Sequence, residues 1–232
     1  DPGKDQSYFL HAVDRSALDD VTFPLGEAHK DWVREQARAA GLPNSDRPDS
    51  TGICFIGERR FDDFLATYLD VEPGPMITPE GAQVGQHRGL IHYTIGQRHG
   101  LGIGGGRGQP GKPWYVLAKD TRDNRLVVGQ GSDHPWLFAR GVVTEAPHWL
   151  IDPPAPPLRA QAQVRYRQQP VPCHVDPANE HLMVNFDEPV RAATPGQSLV
   201  LYDDALCLGG AIIARPVPDR AAEAPIEVSA AP

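Results

Sequence analysis

Cys54 is the residue of this chain best placed to do covalent chemistry. It sits in the run Asp49-Ser50-Thr51-Gly52-Ile53-Cys54-Phe55-Ile56-Gly57-Glu58-Arg59, between a polar stretch and an apolar stretch that ends in charge. Nearby cations and free backbone N–H groups stabilise a thiolate, so a lone cysteine among Gly, Asp, Glu and Arg is a candidate reactive thiol. The competing reading is a small buried hydrophobe, a common fate of free cysteine. Cys173 and Cys207 lie far away in sequence and show no ligand spacing. Two further clusters join an aromatic ring to cationic groups: Tyr93-Thr94-Ile95-Gly96-Gln97-Arg98-His99 and Arg165-Tyr166-Arg167-Gln168. Arginine beside tyrosine suits phosphate contact with base stacking, the way single-stranded RNA is commonly held. Each cluster taken singly also fits a strand with a solvated face.

Other patterns carry less. The Gly-rich run 100–106 lacks the Gly-Lys-Ser/Thr ending of a phosphate loop and precedes no convincing helix, so it reads as a turn region. His87 and His92 would point to opposite faces of a strand and match no single helix face. No carboxylate or cysteine stands at ligand spacing beside them, so no metal site is expected.

These groups have to be positioned by recognisable elements. Residues 26–40 read as an amphipathic helix through Trp32, Val33, Ala37 and Ala40, with Gly41 as its stop. Residues 61–68 read as a second, short helix. Residues 6–13 fit either a strand or a helix edge. From residue 74 the pattern turns to β: short runs at 90–95, 114–118 and 126–128, with Asp123-Asn124-Arg125 as a hairpin turn. A Pro-rich stretch at 147–157 leads into runs at 160–166, 181–187, 197–202 and 209–216. Short strands at near-regular spacing predict a small antiparallel barrel. The Ala/Pro/Glu-rich tail after Asp219 is expected to be disordered.

The chain has 232 residues, enough for one large domain or two modest ones. Forty per cent hydrophobic and 22% charged residues describe an ordinary soluble composition. No apolar run is long enough to span a membrane, and no signal peptide is visible. Three cysteines give no disulfide framework, which favours a reducing, cytoplasmic location. The net charge of −8 argues against a surface that binds nucleic acid everywhere, but leaves room for a local basic patch.

Several motifs occur in order: Lys4-Asp5-Gln6-Ser7-Tyr8-Phe9-Leu10, the 49–59 block, Tyr93-Thr94-Ile95-Gly96-Gln97-Arg98, the 100–105 glycines, Pro113-Trp114-Tyr115-Val116, Arg165-Tyr166-Arg167 and Thr194-Pro195-Gly196-Gln197-Ser198. Together they make residues 4 to about 215 resemble the C-terminal two-thirds of the bacterial tRNA-specific 2-thiouridylase family. The resemblance implies a three-part protein: an ATP-pyrophosphatase domain of the PP-loop type, a small central domain, and a β-barrel. The implied fold here is an α+β central domain followed by an all-β C-terminal barrel of six-stranded type, mainly β overall. The implied division is 1–19 as the end of the ATP domain, 20–139 as the central domain with the cysteine loop, 140–218 as the tRNA-binding barrel, and 219–232 as tail. The start, Asp-Pro-Gly-Lys, has no Met, and the expectation is a piece lacking most of the ATP domain and inactive alone.

By the same resemblance, Cys54 carries transferable sulfur as a persulfide. Lys4, Asp5, Gln6, Arg165, Tyr166 and Gln197 contact tRNA, the barrel gripping the anticodon arm. Asp5 cannot approach phosphate favourably, so its role is a hydrogen bond to a base, a ribose hydroxyl or local backbone. Glu58 and Arg59 would orient the Cys54 loop, itself expected to be mobile. ATP is used by the whole enzyme and is not bound by this part. A cysteine desulfurase or relay protein delivers the sulfur. Cys173 and Cys207 are read as packing residues. Two rivals are a stand-alone RNA-binding barrel without chemistry and a docking module for a sulfur-relay partner.

Overall fold

The computed structural model describes residues 1, 3–48, 71–104, 111–178 and 180–219. The 49–59 block with Cys54, Glu58 and Arg59, the helix read at 61–68, and the tail lie outside the described residues.

Three short helices come first: α1 (Ser7–Leu10), α2 (Arg15–Leu18) and α3 (Lys30–Ala39). The undecided stretch at 6–13 therefore contains a helical turn. α3 starts four residues later than the sequence predicts, because Gly26 is taken up in a turn closed by its own N–H on the Phe23 carbonyl. Its end is as predicted. Gly41 has φ +66°, the Leu42 N–H donates to the Ala37 carbonyl, and the Gly41 N–H donates to the Arg38 carbonyl. That pair of bonds needs a left-handed residue after the helix, which glycine adopts without a Cβ penalty.

A four-stranded sheet follows, built from β1 (Gly74–Ile77), β2 (Gln83–His87), β3 (Trp114–Asp120) and β4 (Arg125–Gln130) in the order β2-β1-β4-β3. The β1–β4 pairing is parallel and the other two are antiparallel. The turn predicted at 123–125 joins β3 to β4. Asn124 is left-handed there, and the Asp120 carboxylate accepts the Arg122 and Asp123 N–H groups. Successive side chains of these strands enter two different cores. Met76, Val116, Leu126 and Val128 pack under Tyr93 and Leu101, while Ile77, Tyr115, Leu117 and Val127 pack under Leu137.

The run 90–95 is not a strand, contrary to the sequence reading. Leu90–His92 forms a single 3₁₀ turn. Gly89 at φ +124° and Gly96 at φ +83° bend the chain at both ends, and the segment caps one face of the sheet instead of joining it.

The second sheet closes on itself. Strands β5 (Phe138–Thr144), β7 (Leu158–Gln163), β8 (Val171–Ala178), β9 (His181–Arg191), β10 (Ser198–Asp203) and β11 (Leu206–Pro218) pair in the order β10-β7-β8-β9-β5-β11, and β11 returns to β10. Every pairing is antiparallel, giving a closed six-stranded barrel. A two-residue strand, β6 (His148–Trp149), adds to the outer edge of β11. Leu182, Val184 and Phe186 alternate inward along β9, and Val175, Leu199, Leu201 and Ile213 complete the interior.

Candidate functional site

The Lys4-Asp5-Gln6 turn is held against the barrel. The Asp5 carboxylate accepts the Ser7 N–H at 2.8 Å, so its observed partner is the local backbone, a turn that aspartate forms readily. α1 then carries Tyr8 and His11 into contact with β10. The Tyr8 hydroxyl donates to the Ser198 carbonyl at 2.8 Å, His11 Nε2 lies 2.8 Å from the Ser198 hydroxyl, and Ser7 Oγ lies 3.3 Å from the Tyr202 hydroxyl. Burial holds the Tyr8 hydroxyl above its ordinary pKa against the pull of Arg165, and pushes His11 below its own, with His148 adding to that. Both therefore serve as neutral hydrogen-bonding groups at neutral pH.

Tyr166 joins the two parts. Its ring lies 4.7 Å from Phe9 and 6.1 Å from Tyr8, with Arg167 on it at 5.2 Å. The 165–167 motif is a turn and not the end of a strand, since β7 stops at Gln163 and Arg167 is left-handed at φ +65°. The turn leaves Arg167 exposed beside the half-buried Tyr166 ring while Arg165 turns inward, a division that an alternating strand could not give.

Arg165 and Gln197 form one unit. Arg165 Nε donates to Gln197 Oε1 at 3.2 Å. Its Nη2 donates to the Ile95 carbonyl at 2.7 Å and reaches the Thr194 hydroxyl at 3.4 Å. One guanidinium thus ties together three motifs that are far apart in sequence, at 93–98, 165–167 and 194–198. Gly96 allows the approach: a Cβ there would stand 2.8 Å from the Ala192 Cβ. Burial lowers the Arg165 pKa, and neighbouring Arg191 lowers it further. A guanidinium remains protonated in proteins regardless, so the site keeps its positive charge.

Lys4, Asp5, Gln6, Arg165, Tyr166 and Gln197 accordingly gather at one end of the barrel, the first three through α1 and the others directly. Sequence reasoning missed the groups that assemble them: Phe9, Ser198 and the Ile95 carbonyl. Each sits inside a motif already singled out, and only their mutual contact was invisible.

The remaining candidates are structural. The Cys173 thiol is fully buried and pushed up to about 12, by burial first and Asp187 next. Burial also raises Cys207. Neither is an activated nucleophile. His87 is buried, with Nε2 against the Asn124 carbonyl at 3.0 Å and Nδ1 accepting the Gly89 N–H at 3.0 Å. Both ring nitrogens are used in pinning the sheet. Among the described residues no three His, Cys, Asp or Glu side chains are grouped to hold a metal ion, and no helix is long and apolar enough to cross a membrane.

Comparison with known proteins agrees with this architecture in chain order. A tRNA methyl transferase HUP domain family matches residues 1–58, a tRNA methyl transferase PRC-barrel domain family matches 62–130, and an aminomethyltransferase β-barrel domain family matches 139–213. The last match coincides with the closed barrel. The HUP match runs well past residue 19, so the expectation of a chain lacking that first domain holds only in part. Residues 4–6 and 54 fall within that one match. Among curated proteins, the chain is 58% identical over 215 residues to the tRNA-specific 2-thiouridylase MnmA of Halorhodospira halophila, covering 92% of this chain and 56% of that protein. It is 54% identical to the protein of the same name from Chromohalobacter salexigens, with the same coverage. The MnmA of Burkholderia pseudomallei is 52% identical over 230 residues, covering 97% of this chain and 60% of that protein. The chain therefore spans a little over half the length of these relatives.

Proposed function

The chain belongs to the tRNA-specific 2-thiouridylase family, and from that premise we propose that it supplies the sulfur-accepting and RNA-gripping parts of an enzyme that 2-thiolates the wobble uridine of tRNA. The observation that best supports this reading is the convergence of Lys4-Asp5-Gln6 and Arg165-Tyr166 on one corner of the barrel through the Phe9–Tyr166 contact. A cationic corner with the exposed Phe9 ring beside half-buried Tyr166 suits an RNA backbone and an unstacked base.

In this reading Lys4 neutralises phosphate. Tyr166 packs against a base or ribose, and Gln6 and Gln197 make hydrogen bonds. Arg165 acts as much by placing Gln197 as by its charge, because two of its nitrogens are already engaged inside the protein. Asp5 shapes the turn that presents its neighbours. The anticodon arm is the part of tRNA held.

The Cys54 thiolate accepts sulfur from a donor persulfide by exchange, the donor being a cysteine desulfurase or a relay protein. The uridine O2 attacks the α-phosphorus of ATP, releasing pyrophosphate. Sulfur from the Cys54 persulfide then bonds to C2, and AMP departs with the former O2. A second cysteine thiolate breaks the persulfide S–S bond during transfer, giving a disulfide with Cys54, or beforehand, releasing sulfide as the attacking species. By either route two thiols end as one disulfide, which supplies the two electrons the transferred sulfur needs. The ATP chemistry belongs to the whole enzyme, and the division into 20–139 and 140–218 separates sulfur handling from RNA grip.

Mass spectrometry tests the central assignment. The chain is incubated with a cysteine desulfurase, relay proteins and cysteine, with Cys54→Ser alongside. One added sulfur that disappears in the variant is the expected result. In the whole enzyme, Cys54→Ser should yield no 2-thiouridine. Thiolation at the wild-type rate by that variant would overturn the assignment.

A further inference from the structure

One cleft lies outside the corner just described. It has a volume of about 480 Å³ and opens between the 98–103 segment and the start of β3, a size in the range of small-molecule sites. Arg98, His99 and Lys112 line it together with Ile103, Trp114 and Gln130, and its lining contains no carboxylate. In a chain with 30 acidic residues against 22 Lys and Arg, a lining whose charged side chains, Arg98 and Lys112, are both cationic is a local reversal of charge. Neither Arg98 nor Lys112 has a side-chain hydrogen bond or ion pair among the described residues. Among the described residues these two cations thus have no internal acceptor, in contrast to Arg165. Trp114 is only partly buried and sits at the edge of the apolar core under Leu101, which gives the cleft a flat aromatic wall. Gly102, at φ +63° with no atom within 4 Å of a built Cβ, leaves the backbone of one side open to close approach.

We propose that this cleft binds a phosphate-bearing nucleotide. Arg98 and Lys112 take the phosphate, His99 supplies a ring N–H, and the base lies along Trp114. The source is the RNA strand. Ile95, whose carbonyl anchors Arg165, is three residues from Arg98, so the Cα atoms that carry the anchor of one site and a cation of the other are at most about 11 Å apart. That span lets one strand leave the Tyr166 corner and enter the cleft, extending the RNA contact from the barrel onto the first sheet. The choice of RNA as the source rests on the function proposed above. The affinity for nucleotide phosphate does not.

The test uses the whole 232-residue chain. A fluorescein-labelled single-stranded oligoribonucleotide is titrated by anisotropy at several salt concentrations, and AMP and inorganic phosphate are titrated by calorimetry. Arg98→Ala combined with Lys112→Ala should weaken RNA binding about tenfold and reduce the salt slope by about 0.7, the value for one lost phosphate on a single strand. Arg98→Lys, which keeps the charge, should retain most of the affinity. An unchanged melting temperature in each variant excludes loss of fold. If Tyr166→Ala abolishes RNA binding while the double variant binds as wild type, the cleft is overturned and the RNA-gripping barrel stands. If AMP binds and depends on Arg98 and Lys112 but RNA does not bind, the cleft stands, its source is a free nucleotide, and the barrel reading fails. Absence of binding to RNA, AMP and phosphate alike overturns the cleft.

Discussion

In the barrel, Leu182, Val184, Leu199, Leu201 and Ile213 are almost wholly removed from water. In α3 no residue is buried, and Trp32 there is 52% exposed, with Phe23 at 61% just ahead of it. Both regions have the apolar patterning that their elements require, yet only the barrel spends it on its own core. Val21, Phe23, Leu25, Trp32 and Leu42 all remain exposed in the 21–42 region, where the barrel buries its own apolar side chains. The stretch between them in character is α1. It belongs to the same HUP match as α3 but is packed on the barrel through Tyr8 and His11. The proposed RNA contacts at residues 4–6 thus take their position from the barrel through α1, while Asp1, whose carboxylate accepts the Lys30 N–H and whose carbonyl accepts the Lys4 N–H, ties the same turn to the start of α3.

Substitution in the two regions should separate them most. Leu199→Ala should cost about 2–5 kcal/mol, read by urea unfolding, because its side chain is fully buried. Trp32→Ala should change stability by no more than about 0.5 kcal/mol. A large loss from Trp32→Ala would mean that α3 is integrated with the folded body, and the contrast would fail. Arg165→Met comes next. It leaves the Ile95 carbonyl and Gln197 without their donor, and should cost about 1–3 kcal/mol. It should also loosen the 93–98 segment, seen as faster amide exchange there.

Acid sharpens the comparison further. His11 is held neutral in the fold, its pKa depressed by burial and by His148. The unfolded chain takes up that proton near pH 6.5, so the stabilising contribution is complete above that value and is lost as pH falls through the depressed folded pKa. Amides 7–11 should therefore lose protection between pH 7 and 5, after correction for intrinsic exchange, before the barrel strands do. Equal loss in both regions would place the acid-sensitive group elsewhere. The smallest effect concerns the thiols. Cys173, raised to about 12, should resist alkylation at neutral pH until the barrel unfolds, while half-buried Cys207 reacts slowly in the native state. Rapid labelling of Cys173 in the folded protein would show that the barrel opens readily.

The sequence carried the barrel well because its strands alternate and its turns are marked. It carried the end of α3 through Gly41. It failed at 90–95, where an apolar run looked like a strand, because the glycines that bend it act only through their φ angles. It also gave no warning of β8, whose Pro172 sits within the paired strand opposite Gln161. The candidate site was legible as a set of motifs, but not as a constellation. Arg165 meets Ile95 across 70 residues and Tyr8 meets Ser198 across 190, and no local pattern encodes such pairings. Cys54 lies outside the described residues, and its role stands on the resemblance and on the chemistry of its neighbours.

The Tyr8–Ser198 bond also sets an order of events at the ribosome. The turn bearing Lys4, Asp5 and Gln6 is made 190 residues ahead of its anchor on β10. At about 5–20 residues per second, translation leaves that turn without its anchor for roughly ten to forty seconds. The barrel itself can close only after β11 has emerged, since β11 pairs with both β5 and β10. A nascent chain therefore completes this corner only after β10 has emerged, and closes the barrel beneath it only after β11.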